Sequence, residues 1–497
     1  MTITQHPTGP WDPCVVFPTA ITLLLVIFWY GISGFKTLKQ LNVPGPKPLP
    51  FVGNFLDVRR YGSIHLMMFD FVKLYGKIFA VSLGRKPSLV VADPEVLKTI
   101  MVKEFSSFHN RMIPLPPPPM SANVFSARDE TWKRIRNILT PSFSARKMKL
   151  MVPLIEESCD VLLRKFEGIA DTGKSVNLMD WYSSLTLEII LSTAFGIKAE
   201  VQTDPDETFL KKARESFRFP FILRIVGRLP ILKTLLRVVM RLRGSMGYFG
   251  QIAMEMIHQR REQGDNQRQD LMQLMLTAHG ESTAQGGSKL TDGEIVAQCV
   301  AFLLGGHETS MITLSTVSYL LALNEDIQEK LRNEIRQKIE KVPGTSLYEI
   351  SHGIEYLDCV ISETQRLYPP AHQLNRECTE DCKVNGIPVP KGMEIIIPFY
   401  ALHHDPDAWE NPEKFDPERF EGPAKDTRHP YQFLPFGAGP RNCIGMRFAL
   451  MEIRIALVKI LMKYKFVRSP ETQVPMVMHA GNTLSPKDGV YLKVESI

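Results

Sequence analysis

The chain has 497 residues, a formal net charge of +6, and a composition of 44% hydrophobic and 23% charged residues, ordinary for a globular protein and long enough for a large core. That charge is too modest for the length to argue for a nucleic-acid partner. The cysteines number seven, odd and scattered, which excludes a secreted disulfide scaffold and predicts mostly reduced thiols facing the cytosol.

Residues 15 to 35, VVFPTAITLLLVIFWYGISGF, contain no charge and approach the roughly 20 apolar residues that span a hydrocarbon core. Residues 1–40 therefore read as a membrane anchor. A cleaved signal peptide is the competing reading, but the stretch lacks a basic leading region and is longer than the usual apolar run of such a peptide. Lys36 and Lys39 follow the span while only Asp12 precedes it, which by the positive-inside rule leaves the body of the chain in the cytosol. Residues 41–54, with VPGPKPLPFVGN at 43–54, are too rich in proline for a helix and read as a stiff hinge.

Residues 55–497 read as a single mostly helical α+β domain with small β-sheets. KIFAVSLGRKPSLVVA (77–92) predicts a hairpin, and from 130 to about 340 the periodicity is helical. Residues 209–243 mix bulky apolar side chains with many lysines and arginines and one acid, Glu215, a pattern suited to an anionic bilayer surface or to a buried helix pair with a solvated basic face. A helix is predicted over Thr291 to Leu323, opened by the capping box Thr291-x-x-Glu294. Its middle, FLLGGHETSMITL, weakens the helix at Gly305-Gly306 and places Glu308 and Thr309 among apolar residues, which predicts a buried central helix opened at one point rather than a second membrane span. CKVNGIPVPKGMEIIIP (382–398) returns to strands, with Asn385-Gly386 as a hairpin turn. Cys378-x-x-x-Cys382 lacks the second ligand pair of a zinc site.

Three further stretches are bland alone. Glu363 and Arg366 stand three apart in ISETQRLYPPAH (361–372), the spacing of a commonplace surface ion pair. FDPERF (415–420) presents Arg419 in a proline-bounded loop, and PFGAGPRNCIGMRFA (435–449) wedges Cys443 between glycines and an arginine ahead of an apolar helix. Buried filler, disulfide half, nucleophile and metal-ligating thiolate all compete for Cys443.

Taken together, Gly-Gly-x-Glu-Thr, Glu-x-x-Arg, Pro-Glu-Arg-Phe and Phe-x-x-Gly-x-Arg-x-Cys-x-Gly, in this order, resemble the cytochrome P450 haem-thiolate monooxygenases, in the clan of the family-three drug oxidisers and thromboxane synthase. The likeness covers essentially the whole chain. It implies haem b with Cys443 as axial iron ligand, shielded by Phe436, with Gly437 and Gly439 shaping the turn and Gly445 admitting the porphyrin. A position at a helix amino terminus beside Arg441 would lower the thiol's pKa. Trp132, Arg136, Arg111, Arg376 and Arg441 are implied to hold the haem carboxylates. Glu363, Arg366 and Arg419 match a structural triad, and Thr309 with Glu308 an oxygen-activation pair. Met120, Ala122, Phe125, Phe302, Ala371 and His372 are placed against the substrate by position relative to these motifs.

The resemblance further implies a microsomal enzyme of the endoplasmic reticulum membrane that inserts one atom of O2 into a lipophilic substrate. Electrons would come from NADPH through a separate cytochrome P450 reductase, with cytochrome b5 as a possible second donor, docking near Lys133, Arg134 and Lys147. A haem-thiolate isomerase or dehydratase of lipid peroxides and a noncatalytic haem protein are the alternatives.

Overall fold

The computed structural model describes residues 13–113, 116–204, 208–217, 245–263, 270–284 and 290–497. The basic stretch singled out in the sequence lies outside them from 218 to 243.

The first helix, α1 (Pro13–Ile32), follows from an uncharged, mostly apolar sequence and is exposed from Val15 to Tyr30, with Leu23, Leu24, Phe28 and Trp29 all facing outward. With α2 (Phe35–Leu41) it forms an apolar stretch, Val15–Leu41, long enough to cross a membrane by length and composition, consistent with an anchor. Its carboxyl end is seated on the body. The Arg85 guanidinium lies 3.3 Å over the Tyr30 ring and donates to the Tyr30 carbonyl and the Ser33 hydroxyl at 2.9 and 2.8 Å. A Cβ on Gly34 would meet the Arg85 carbonyl oxygen at 2.0 Å, so only glycine permits this approach.

The body is helical around a small sheet. Helices α3 (Asp129–Leu139), α4 (Leu178–Ile190), α5 (Asp292–Leu323), α6 (Glu355–Leu367) and α7 (Met446–Leu461) position the site. Strands β1 (Ile78–Ser82) and β2 (Pro87–Val91) form the predicted hairpin. Strands β3 (Leu374–Glu377), β4 (Cys382–Val384), β5 (Ile387–Val389) and β6 (Glu394–Ile397) come from the later strand-rich segment. One sheet has the order β1-β2-β6-β3, with β2 parallel to β6 (Leu89 opposite Ile395) and β3 antiparallel to it (Arg376 opposite Ile395). β4 and β5 pair around Asn385 (φ 50°) and Gly386 (φ 79°), the two left-handed residues a tight hairpin of this type demands.

α5 is capped by Thr291, whose hydroxyl accepts the Glu294 N–H while the Glu294 carboxylate accepts the Thr291 N–H. It crosses the largest apolar cluster and packs on α4, α6 and α7. Most of it is buried in protein, as the sequence predicted in rejecting a second membrane span.

Candidate functional site

The loop before α7 is set by backbone chemistry. Gly437 and Gly439 take left-handed conformations (φ 69° and 71°), and a Cβ on Gly439 would lie 2.0 Å from the Met101 carbonyl oxygen. The turn lets the Cys443 N–H donate to the Phe436 carbonyl at 2.9 Å. Gly445 caps α7, and a Cβ there would meet nothing within 4 Å. The Gly445 and Met446 N–H groups are directed at the Cys443 sulfur. Cys443 has accessible surface yet protein surrounds it on all sides, which places it on the wall of an internal cavity rather than on the outside. Burial raises its thiol above the ordinary value, against the pull of those amides and of Arg111 and Arg136. The lowered pKa expected from the sequence is thus not delivered by the chain alone, because desolvation outweighs the helix terminus. A coordinated metal ion deprotonates a thiol outright.

Around the same loop gathers a group of guanidiniums. Arg136, on α3, donates to the Asn442 carbonyl at 3.0 Å and to its side-chain oxygen at 2.8 Å. Arg111 reaches the Phe125 and Arg441 carbonyls, both at 3.4 Å. Arg441 donates to the Ala127 carbonyl at 2.6 Å and lies over the Trp132 ring. Arg376 donates to the Asn375 carbonyl at 3.2 Å.

Several donors here are buried without a partner: Trp132 Nε1, Arg111 Nε, Arg441 Nε, and Arg376 Nε and Nη2. Burial and mutual repulsion push Arg111 down to about 10, Arg376 to about 9 and Arg441 to about 8. The adjacent carboxylate of Glu377 is already paired with Arg128 at 2.6 Å. Buried cations with orphaned N–H groups are costly without an anion. The set fits a group carrying two carboxylates, as haem does.

On the α5 side the helix is not broken at the glycines. It remains continuous α-helix through residues 305–309, which corrects the expectation of a backbone opening. The notch is made by side-chain absence: Gly305 is exposed within a buried helix, and a Cβ on it would meet nothing within 4 Å. Gly306 has a different task, since its Cβ would lie 2.6 Å from Ile190 Cδ1 on α4. There Thr186 donates to the His307 carbonyl at 3.1 Å. The Thr309 hydroxyl donates to the Gly305 carbonyl at 2.6 Å. Glu308 keeps one carboxylate oxygen buried without a partner, and burial pushes its carboxyl up to about 7 against a hydrogen bond from Thr483.

Beneath the loop, Glu363 and Arg366 are wholly buried rather than forming the surface pair their spacing suggested. Arg366 makes a two-pronged contact with Glu363 at 2.7 and 2.8 Å, the Asp416 N–H donates to it at 3.0 Å, and Arg419 stands at 3.3 Å. Burial pushes the Glu363 carboxyl up while these groups pull it down. On balance burial leaves it above its ordinary value, and the charged form is the one that gives the two guanidiniums a counter-charge. Arg366 also donates to the His403 and Lys414 carbonyls at 2.9 and 3.2 Å, tying α6 to the segment that leads into the cysteine loop.

The candidate substrate contacts are dispersed. Met120, Ala122 and Phe302 pack against the main core, with Phe302 edge-on to Phe143 at 5.5 Å, and Ala371 joins the cluster at the sheet. Phe125 is exposed and carries the Arg111 guanidinium 4.2 Å over its ring. His372 is buried beside His65, with ring centroids 6.3 Å apart. Of the basic residues named for docking, Lys133 is exposed, whereas Arg134 forms an ion pair with Glu294 on α5.

Sequence reasoning missed Asn442, Thr483 and the buried pair Ser310–Glu452. Glu452 accepts from the Ser310 hydroxyl at 3.0 Å, has its other oxygen unpartnered, and is pushed by burial up to about 8. The signal was present, since Glu452 is an acid amid the apolar run of α7.

The cytochrome P450 family model matches residues 43–494. The chain is 39% identical over 484 residues to Cytochrome P450 3A11 of Mus musculus, covering 96% of this chain and 95% of that protein. It is 38% identical over 482 residues to Cytochrome P450 3A29 of Sus scrofa, covering 95% of each, and 35% identical over 521 residues to Thromboxane-A synthase of Sus scrofa, covering 97% of each. Whole-chain similarity of this extent, on a mostly helical body with a cysteine loop ringed by buried arginines, leaves one assignment: the chain belongs to the cytochrome P450 family, in its family-three branch.

Proposed function

We propose that this chain is a haem-thiolate monooxygenase that inserts one atom of O2 into a lipophilic substrate such as a steroid, fatty acid or xenobiotic. Electrons come from NADPH through a separate membrane-bound reductase. Residues 1–40 anchor the protein in the endoplasmic reticulum membrane, 41–54 form the hinge, and 55–497 are one catalytic domain in the cytosol. The observation that carries the reading is the cysteine loop ringed by buried guanidiniums with orphaned donors, and the adjacency of Glu308 and Thr309 to the Gly305 notch supports it.

When bound, the haem supplies the reduction and cleavage of dioxygen, with thiolate ligation favouring O–O scission. Cys443 would hold the iron. Trp132 and the guanidiniums of Arg111, Arg136, Arg376 and Arg441 would hold the two carboxylates, which would satisfy the orphaned donors of Trp132, Arg111, Arg376 and Arg441. Gly305 leaves room beside the helix for a small ligand, and Gly445 leaves room at the start of α7 for the porphyrin. Thr309 orients a proton: its hydroxyl, now donated to the Gly305 carbonyl, can rotate to a ligand at the notch. Glu308, its carboxyl raised to about 7, both accepts and releases protons at neutral pH, the match a general acid requires. The surrounding apolar core excludes water from that transfer.

Identity of 35% to a protein named Thromboxane-A synthase supports a second reading, an isomerase or dehydratase of lipid peroxides needing no reductase. Isotopically heavy O2, reductase, NADPH and a panel of steroids, fatty acids and aromatic xenobiotics separate the two. Label in a product, lost without NADPH and sharply reduced in Thr309→Ala, is the expected result. Conversion of lipid hydroperoxides without NADPH and with no labelled product would sink it and promote the second reading.

A further inference from the structure

The turn after β3 holds two thiols with no part in the proposed cofactor site. Cys378 follows the last residue of β3 and Cys382 opens β4, and their sulfurs lie 3.5 Å apart. The sheet builds this approach. The Cys378 N–H donates to the Met393 carbonyl at 2.9 Å, its carbonyl accepts from Gly392 at 2.7 Å, and Cys382 pairs opposite Val389. No group of three or more metal-binding side chains occurs among the described residues, so the pair stands as a dithiol rather than as part of a metal centre.

The two thiols are not equivalent. Cys378 is fully buried, whereas Cys382 is partly exposed on a groove of about 330 Å³ that runs between Thr37, Gln40 and Leu41 of α2 and Pro388–Pro390. Burial pushes the Cys378 thiol up to about 12. Cys382 is raised as well, by burial first and also by the carboxylates of Glu104, Glu380 and Asp381, with the Cys378 contact opposing the rise. Cys382 is therefore the reachable sulfur, and Cys378 stands behind it as a resolving thiol.

We propose that Cys378 and Cys382 form an oxidisable dithiol that closes to a disulfide when a hydroperoxide enters the groove. The Cys382 thiolate attacks the peroxide oxygen, breaking the O–O bond and giving a sulfenic acid and, with hydrogen peroxide, one water. The Cys378 sulfur then attacks the Cys382 sulfur and expels a second water. Two thiols lose two electrons and two protons, and one peroxide becomes two waters. The sulfurs must close from 3.5 Å to the roughly 2.05 Å of a disulfide, a movement within reach of side-chain rotation.

The turn is already stitched to the segment that carries Arg111. The Thr379 N–H donates to the Ser107 carbonyl at 2.8 Å, the Ser107 hydroxyl to Glu380 at 2.6 Å, and the Glu377 N–H to the Asn110 carbonyl at 2.9 Å.

Trypsin releases both cysteines, and no others, in the peptide 377–383. The full chain in detergent is treated with a few equivalents of hydrogen peroxide, alkylated, digested and weighed. The expected peptide has lost two hydrogens, takes no alkyl group, and regains two alkylatable thiols after dithiothreitol. Cys378→Ser should convert that product into a sulfenic or higher oxide at residue 382, and Cys382→Ser should leave residue 378 a free thiol. A wild-type peptide that keeps both thiols, or that carries a higher oxide at Cys382 with no bond, overturns the proposal. The wild-type mass alone decides the matter if either variant fails to fold.

Discussion

Two buried carboxylates sit in different electrostatic company. Glu363 is clasped by Arg366, approached by Arg419 and given the Asp416 N–H, contacts that tie α6 to the loop segments around it. Glu308, in the middle of α5, has one oxygen unpartnered and a carboxyl raised to about 7. The contrast matches the roles proposed for them: burial raises both, but cations beside Glu363 favour its charged form, and Glu308 has no cation to do so.

Removing a cation at the first site should have the largest effect. Arg366→Ala strips Glu363 of its two-pronged partner and should destabilise the fold by about 3–5 kcal/mol, read as a lowered melting temperature and poor haem incorporation. A melt close to that of the wild type would show that the clasp is not what fixes the loop. At the second site the fold should survive. Thr309→Ala should lower turnover by about 10²-fold, the low end for general acid–base catalysis, while hydrogen peroxide released per NADPH rises. Unchanged coupling of NADPH to product would place the proton path elsewhere.

Glu308→Gln sharpens the comparison through pH. The folded-state pKa of Glu308 lies above its unfolded value, so the folded state binds more protons, and its contribution is full below about 4.5 and lost as pH rises through about 7. Wild type should therefore lose stability relative to Glu308→Gln across that window, by at most ~3 kcal/mol. Parallel stability curves for the two proteins would mean that the carboxyl is not perturbed. The smallest effect belongs to the glycines. Gly305→Ala should stabilise α5 by about 1 kcal/mol while crowding the notch, and Gly306→Ala should destabilise because its Cβ meets Ile190. Equal melting shifts for both would contradict the separate tasks assigned to them.

What was legible in the sequence was what is local or periodic. The capping box at Thr291 and Glu294, the Asn385-Gly386 hairpin and the β1–β2 hairpin all depend on residues within a few positions of each other. The motif set located Cys443 and the arginines through family likeness, and the structure brings Trp132, Arg111, Arg136, Arg376 and Arg441 around one loop. What could not be read is set by contacts across long separations. The parallel pairing of β2 with β6 and the hydrogen bond from Ser88 to Glu394 at 2.7 Å join segments about three hundred residues apart. Local spacing even misled at Glu363 and Arg366, because an i,i+3 pair carries no information about what later segments cover it. The thiol of Cys443 shows the same limit, since helix-terminus chemistry is local but desolvation comes from the whole fold.

The Arg85 contact has a mechanical meaning for the proposed anchor. A helix gripped at its carboxyl end by a guanidinium, with a neighbouring glycine pressed against a carbonyl, behaves less like a tether than like a mast stepped into a hull. A lipid bilayer that holds α1 then also sets the heel of the body, and so which faces of the catalytic domain meet the headgroups. Substitutions at Arg85 or Gly34 would leave the protein bound to membranes while letting it swing, turning a fixed orientation into a distribution of them.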